Sequence, residues 1–364
     1  KVDPNSRSLT VKNLVTGGTH EVGYDRLMIA TGATPVIPPI DNVNVANVFT
    51  LKSMADGLAL KQAVENDANK EVVIIGAGYI GLEVAEALKK HGKNVRIIQL
   101  DPRVLPDSFD QEITAVIEQE LAKHGIVLHV SETVKSFTGC DRVTGVVTDK
   151  GEYPADLVVI STGVKPNTAF LSGSGIEMAR NGAIVIDSSG RTNLFDVYAA
   201  GDCATVYHLV KKGNAYIPLA TTANKIGRIV GENLAGKNKA FPGTLGTAAL
   251  KIMDLEAGRT GLTENDAAKL GVAYRTVLVK DKNHSNYLPG QSDIFVKLIY
   301  DSQTKVILGG QVVGREGAAL RVDTLAAAVM AGMTVDQLAM LDLLYAPPFS
   351  RPWDVLNIAA GAAK

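Results

Sequence analysis

Residues 72–81 carry the clearest chemistry in the chain. Val72-Val73-Ile74-Ile75 runs straight into Gly76-Ala77-Gly78-Tyr79-Ile80-Gly81, and helix-forming residues follow without a break. A buried strand, a glycine turn and a helix in that order suit a dinucleotide. Gly76 permits the tight turn, Gly78 lets backbone approach a pyrophosphate, and Gly81 lets the helix pack closely on the sheet. The helix N-terminus adds free N–H groups and the positive end of a dipole for the phosphates. The plain alternative is a packing turn with no ligand. An acid is expected about 20 residues on, at the end of the next strand, to hold the ribose hydroxyls. Gln99 stands there instead, followed by Leu100 and Asp101. A glutamine can bond a ribose hydroxyl without repelling a 2′-phosphate, so NAD and NADP both stay open. Arg96 and Arg103 read as solvated surface charges rather than phosphate clamps. His208 and His284, isolated in polar stretches, read as ordinary surface residues and receive no role.

The elements that must hold these residues follow from periodicity. The 364 residues suit two or three domains, and a composition of 46% hydrophobic and 21% charged residues with 35 glycines suits an α/β protein with many turns. Strands are expected at Leu9–Leu14 and Tyr24–Ala30, before the breakers Pro35, Pro38 and Pro39, and a helix over Ser53–Glu65. Glu71–Gly92 reads as strand, turn and helix. A strand at Val95–Leu100, a helix over Gln111–His124 and strands at Ile126–Val130, Val143–Thr148 and Leu157–Ile160 continue the alternation, which predicts a mainly parallel, doubly wound sheet. Further strands are expected at Ala183–Ile186 and Val197–Ala199, with a helix over Thr221–Leu234. From Thr247 onward, strands near Tyr274–Lys280, Ile294–Tyr300 and Val306–Val313 and helices over Ala318–Ala331 and Val335–Leu341 predict a separate α+β domain.

Charge and cysteine usage narrow the partners. A formal net charge of -1 gives no field that would draw the chain to nucleic acid or an anionic membrane, so small molecules are the expected partners. The longest apolar stretches fall far short of the roughly 18 residues needed to span a bilayer. Cys140 and Cys203 form no Cys-x-x-Cys pair, which predicts a reducing cytoplasm, no metal cluster and no dithiol redox couple. The chain opens on Lys1 rather than Met, from which a missing beginning is expected.

Two more short motifs sit at strand ends, Ile29-Ala30-Thr31-Gly32 and Val197-Tyr198-Ala199-Ala200-Gly201-Asp202-Cys203-Ala204. Each alone could be a turn. Flanking the glycine fingerprint, they make the chain resemble the FAD-dependent pyridine nucleotide-disulfide oxidoreductases over essentially its whole length. The resemblance implies an α/β fold with two doubly wound Rossmann-like domains, the FAD-binding one incomplete at its N-terminus, and a C-terminal α+β dimerisation domain. The implied boundaries are 1–40 and 165–243 for FAD, 41–164 for NAD(P)H and 244–364 for the dimer. It also implies that Thr31, Gly32, Gly201 and Asp202 belong to the FAD site, with Asp202 on the ribityl or pyrophosphate portion. Ala220 and Thr221 would open a helix toward the flavin ring, where its dipole favours the negative charge of reduced flavin. Tyr79 matches an aromatic lid over the flavin, Glu83 an acid near the flavin edge, and Gly163 the crossing back to the FAD domain; Ile80, next to the lid, is a further cofactor-binding candidate. Family members begin with another glycine fingerprint and a redox cysteine, which this chain lacks. Cys203, inside the Gly-Asp turn, is expected to be a structural thiol and Cys140 a bystander.

Within that family, Asn286-Tyr287-Leu288-Pro289-Gly290 and Leu344-Tyr345-Ala346-Pro347-Pro348-Phe349-Ser350-Arg351-Pro352 are similar to the tyrosine segments of coenzyme A-disulfide reductases and persulfide reductases. There the tyrosines reach the partner subunit's cysteine. A phenol, with a reference pKa of about 10, stays neutral near pH 7 and can donate a proton to a leaving thiolate. The alternative role is an interface aromatic. The implied activity is hydride transfer from NAD(P)H to FAD and on to a small disulfide or persulfide, in a homodimer. Alternatives are an NADH oxidase or peroxidase of the same fold and a non-catalytic nucleotide-binding module. Arg351, Lys225 and Arg228 are candidates for the phosphates of a CoA-like substrate on charge alone.

Overall fold

A computed structural model describes residues 1–364, which pack as two compact units: Lys1–Thr34 with Val164–Gly246, and Pro35–Gly163 with Thr247–Lys364. The core of the second unit is a parallel sheet whose strand order is Val48–Thr50, Leu157–Ile160, Glu71–Ile75, Asn94–Ile98 and Val127–His129. Its two central strands, Val-Val-Ile-Ile and Leu-Val-Val-Ile, are buried on both faces, as expected for strands covered from both sides. Val73 lies opposite Val158 on one side and Arg96 on the other. Parallel neighbours require crossovers, here supplied by the helices Tyr79–Lys90 and Gln111–Lys123. The helix Met54–Glu65 begins in a capping box: Ser53 Oγ accepts from the Asp56 N–H at 3.2 Å and Asp56 accepts from the Ser53 N–H at 2.8 Å.

The C-terminal part of this unit is an antiparallel sheet in the order Ala248–Ile252, Leu255–Gly261, Ile307–Gly314, Asp293–Asp301 and Tyr274–Lys282. Leu250, Ile252, Leu255, Ala257 and Val313 share one core with Leu82, Ala85, Ile117 and Leu121. That shared apolar core is why sequence-distant segments form one unit. The helix Ala318–Met330 covers the sheet where glycine allows it: a Cβ on Gly258 would meet Val322 at 2.8 Å, and one on Gly310 would meet Leu325 at 2.7 Å. In the first unit, Leu27–Ile29 pairs in parallel with Val197–Ala199 beside the helix Ala220–Leu234. Ile29, Ile184, Val197, Cys203, Ile226 and Val230 form its core.

Several expected elements differ. Ala183–Ile186 is not a strand: Ile184 makes single bridges to Met178 and Ala204, and the backbone bonds of this buried apolar run go to loops. Sequence periodicity misses Thr19–Gly23, whose residues are all exposed and so carry no alternation, and the strands Val134–Thr138 and Glu152–Pro154; Gly145–Thr148, expected as Val143–Thr148 within the parallel alternation, pairs antiparallel between those two in a small separate sheet. It also misses the hairpin Ala248–Ile252/Leu255–Gly261 and the helix Val355–Gly361.

One polar cluster interrupts the apolar core. Lys297, 1% exposed on the strand Asp293–Asp301, places Nζ 2.8 Å from Glu112, 2.9 Å from Glu264 and 3.4 Å from Asp110. Asp110 also accepts from Gln311 Nε2 at 2.6 Å, and its N–H donates to Gln311 Oε1 at 2.8 Å. Burial pushes the Lys297 pKa down, but its bonds to Glu112 and Glu264 and the Asp110 charge outweigh that and raise it. Burial pushes Glu112 up, and Lys297 reverses the shift to a net lowering. Asp110 stays raised, because burial there exceeds the pull of Lys297. Lys297→Met leaves the carboxylates without their cation and is expected to destabilise the protein by about 3 kcal/mol near pH 7. The part that acts through Glu112 is present above the unfolded carboxylate pKa of about 4.3 and is lost as pH falls through the lowered folded value. Urea unfolding of both proteins should therefore show the gap holding from pH 7 down to about pH 5 and narrowing as pH falls below about 4.3.

Candidate functional site

The glycine turn answers the geometric test for a pyrophosphate. Gly76 has φ +103°, and a Cβ there would lie 2.6 Å from the Ser161 carbonyl oxygen. A Cβ on Gly81 would lie 2.1 Å from the Gly76 oxygen and 2.7 Å from Ser161 Oγ, whereas one on Gly78 would meet nothing within 4 Å. The turn is thus closed on its sheet side and open at Gly78, the N-cap of the helix, where no side chain caps the free N–H groups. A dinucleotide pyrophosphate fits that opening. Gln99 is 7% exposed, and both its polar ends are engaged: Oε1 accepts from the Ala77 N–H at 2.7 Å and Nε2 donates to Asp101 at 2.7 Å. It braces the turn.

The two arginines are not the freely solvated charges expected of them. Arg103 donates to the carbonyls of Phe109 and Pro106, and Arg96 stacks 4.4 Å over the Tyr153 ring while bonding His129. His208 and His284 are likewise corrected: they are 1% and 4% exposed. His208 Nδ1 accepts from the N–H groups of Val210 and Lys211, and His284 Nδ1 bonds the Ser285 carbonyl, so both serve turns. The apolar run Val206-Tyr207-His208-Leu209-Val210 is the available signal for His208, whereas the polar neighbours of His284 give none.

Tyr79 packs half-buried with its ring 6.3 Å from that of Phe109; burial raises its hydroxyl pKa, against weaker pulls from Ser108 and Arg259. Ile80 and Glu83 line an apolar cavity of about 380 Å³ with Leu51, Leu60 and Leu88. Burial there, and then the charge of Glu86, raise the Glu83 carboxyl pKa. Gly163, with φ +106°, accepts from the Val36 N–H. Glu120, His124 and Asp254 bring potential metal ligands within 4.8 Å of one another, but Lys123 and Arg315 already pair with these acids.

In the first unit, Thr31 Oγ1 donates to the Asn167 carbonyl at 2.7 Å and the Asn167 N–H donates to Gly32, which has φ +67°. Gly201, with φ +82°, accepts from the Ala204 N–H, and Tyr216 donates to the Asp202 carbonyl at 3.0 Å. Burial, then the neighbouring Asp202 and Cys203, push the Tyr216 pKa up to about 12, so that proton stays in place. Cys203 is buried with its thiol on the carbonyls of Ile29 and Ala200, and Cys140 is exposed. The helix starting Ala220-Thr221 has Leu219 at its N-cap and no side-chain cap.

The two tyrosine segments meet. Tyr287 and Tyr345 place their hydroxyls 3.3 Å apart at a cavity of about 430 Å³ that Lys282, Ser285, Gln291 and Arg351 also line. The bond to Tyr345 raises the Tyr287 pKa. Arg321, which sequence reading missed, staples both segments: it donates to Asp354 at 2.7 and 2.9 Å, to the Asn283 carbonyl at 3.1 Å and to the Phe349 carbonyl at 3.2 Å. Of the CoA-phosphate candidates, Arg351 is paired with Asp281, Arg228 with Glu232, and Lys225 is exposed.

Residues 1–227 match the pyridine nucleotide-disulphide oxidoreductase family, and residues 247–355 match its dimerisation domain. The chain belongs to that family. FAD and NAD(P)H are the cofactors of this class of oxidoreductase, and the dimerisation domain supports a homodimer. The chain is 43% identical over 348 residues to the NAD(P)H coenzyme A polysulfide/persulfide reductase of Pyrococcus horikoshii, covering 96% of this chain and 78% of that protein. It is 35% identical over 365 residues to an NADH oxidase of Enterococcus faecalis, covering 100% and 81%. Among solved structures, an NAD-dependent persulfide reductase from A. fulgidus superposes with TM-score 0.94 at 37% identity, covering 99% of this chain and 66% of that one. The water-forming NADH oxidase from Lactobacillus brevis bound to NADH also gives TM-score 0.94, at 36% identity, covering 99% and 80%. No helix is long and apolar enough to cross a membrane.

Gly76→Ala tests the turn. A side chain at φ +103° and 2.6 Å from a carbonyl is expected to destabilise the protein by about 2 kcal/mol or more and to weaken NADH binding, measured by urea unfolding and equilibrium titration.

Proposed function

We propose that the chain works as an FAD- and NAD(P)H-dependent reductase of a small persulfide or CoA-type disulfide. The observation that carries this reading is the paired phenols of Tyr287 and Tyr345 beside a polar cavity, in a chain so similar to persulfide reductases. Bound FAD supplies hydride acceptance and electron delivery to sulfur. The protein's share is binding and protons. Gly76, Gly78 and Gly81 seat the NAD(P)H pyrophosphate, Thr31, Gly32, Gly201 and Asp202 hold FAD, and the uncapped start of the helix at Ala220-Thr221 favours negative charge on the flavin. As the family resemblance implies, Tyr79 would serve as the aromatic lid that yields to nicotinamide, Glu83 as the acid of the flavin site, and Gly163 as the crossing back to the FAD-binding residues.

The phenols hold a proton at Oη for a departing thiolate; the raised Tyr287 pKa keeps it there through the neutral range. In a homodimer they serve the cysteine of the partner subunit. Buried Cys203 and exposed loop residue Cys140 have no part in this step, which the reading gives to a cysteine outside residues 1–364. Two unpaired thiols favour the cytoplasm.

A second reading is an NADH oxidase, supported by the likeness to the E. faecalis and L. brevis enzymes. Anaerobic turnover of the flavin-loaded enzyme with CoA disulfide and with polysulfide, against NADH consumption under oxygen, separates the two. Reductase turnover without comparable oxygen use supports the proposal, and water formation alone supports the oxidase. Replacing Tyr287 and Tyr345 together by Phe is expected to lower disulfide turnover by roughly 10²-fold, the usual size of a general-acid contribution, as read from steady-state rates.

A further inference from the structure

The tip of the strand Asn94–Ile98 carries a feature that the family match does not assign. The position that ordinarily holds a ribose-binding acid is Gln99, and its amide spans two groups: the Ala77 N–H inside the glycine turn and the Asp101 carboxylate, each at 2.7 Å. The main chain around it is fixed as well. The Gln99 N–H donates to the His129 carbonyl at 2.8 Å, the Glu132 N–H to the Gln99 carbonyl at 3.0 Å, and the Ser131 N–H to the Asp101 carbonyl at 2.9 Å. Leu100 is 67% exposed and Asp101 is exposed, so the tip turns outward to solvent beside the pyrophosphate opening.

The cations of this region are already committed. Arg103 spans the Pro106 and Phe109 carbonyls, Arg96 lies over Tyr153, and Lys150 donates to the Val130 carbonyl at 3.2 Å. A 2′-phosphate arriving at the strand tip would meet a fixed carboxylate and no waiting guanidinium, whereas ribose hydroxyls can donate to that carboxylate.

We infer that Asp101 is the residue that selects NADH over NADPH, with Gln99 as the positioning residue that ties its carboxylate to the glycine turn. The inference rests on the dinucleotide site proposed above. Selection comes from repulsion: two anions within reach disfavour one another, while the neutral diol loses nothing.

The test is calorimetric binding of ADP-ribose and of 2′-phospho-ADP-ribose to the flavin-loaded enzyme, neither of which undergoes hydride transfer, alongside kcat/KM for NADH and NADPH. The unsubstituted protein is expected to favour ADP-ribose by about tenfold or more. Asp101→Asn keeps an acceptor for Gln99 and removes the charge; it should tighten 2′-phospho-ADP-ribose by about tenfold and leave ADP-ribose unchanged or weaker. Asp101→Ser should shift selectivity the same way, and Gln99→Leu should narrow it with Asp101 still present. Equal binding of the two ligands to the unsubstituted protein, or equal weakening of both by Asp101→Asn, overturns the inference alone. Failure of both ligands to bind overturns the dinucleotide site itself.

Discussion

The carbonyl and hydroxyl of Ser161 press on the glycine turn so closely that neither Gly76 nor Gly81 has room for a Cβ. Ser161 Oγ donates toward the carbonyls of Ile75 at 3.1 Å and Gly76 at 3.0 Å, and its N–H donates to Ile75 at 2.8 Å. That contact ties the ends of the two central strands together and sets where the helix Tyr79–Lys90 begins. The position of its free N–H groups follows, and so does that of Ala77, whose N–H reaches Gln99 on the next strand. Crowding on one side of the turn and space at Gly78 are one arrangement seen from two faces. A backbone forced against the sheet leaves its opposite side bare for a ligand that also needs close backbone approach.

The rest of the second unit keeps this sheet from moving independently. Its C-terminal antiparallel sheet shares a core with the helices of the nucleotide domain, and Lys297 binds acids from both parts. A buried ion cluster contributes little net stability compared with apolar packing, but it tolerates few alternative arrangements. On the helix Ala318–Met330 that covers this sheet, Arg321 gathers the segments of Tyr287 and Tyr345. The phenols and the coenzyme turn are thereby carried by one compact unit, which suits a reaction in which proton delivery and hydride delivery must each hold a fixed geometry.

What could be read from sequence is what local chemistry encodes. The fingerprint at 76–81, the helices expected from Ser53 and from Thr221, the second of which starts one residue earlier at Ala220, and the buried strands at 72–75 and 157–160 follow from residue type and period alone. The tyrosine segments were legible through resemblance, and their meeting depends on packing between residues 58 apart in sequence. What stayed hidden was tertiary. Lys297 and Arg321 look like surface cations until the carboxylates Glu112, Glu264 and Asp354 are brought to them, and His208 and His284 look exposed until turns close over them. Gln99 looked like a weakened ribose ligand because its two partners, Ala77 and Asp101, are settled by the strand and turn geometry rather than by spacing.

The enzyme to which this chain belongs passes hydride from a nicotinamide nucleotide to a bound flavin. Anaerobic titration of the purified, FAD-loaded protein with NADH, followed by the visible flavin absorbance, tests it most directly. The expected result is retained yellow flavin that bleaches with stoichiometric NADH and recovers its colour when a persulfide or CoA disulfide is added. A protein that takes up no FAD, or whose flavin band is unchanged by NADH, would contradict it.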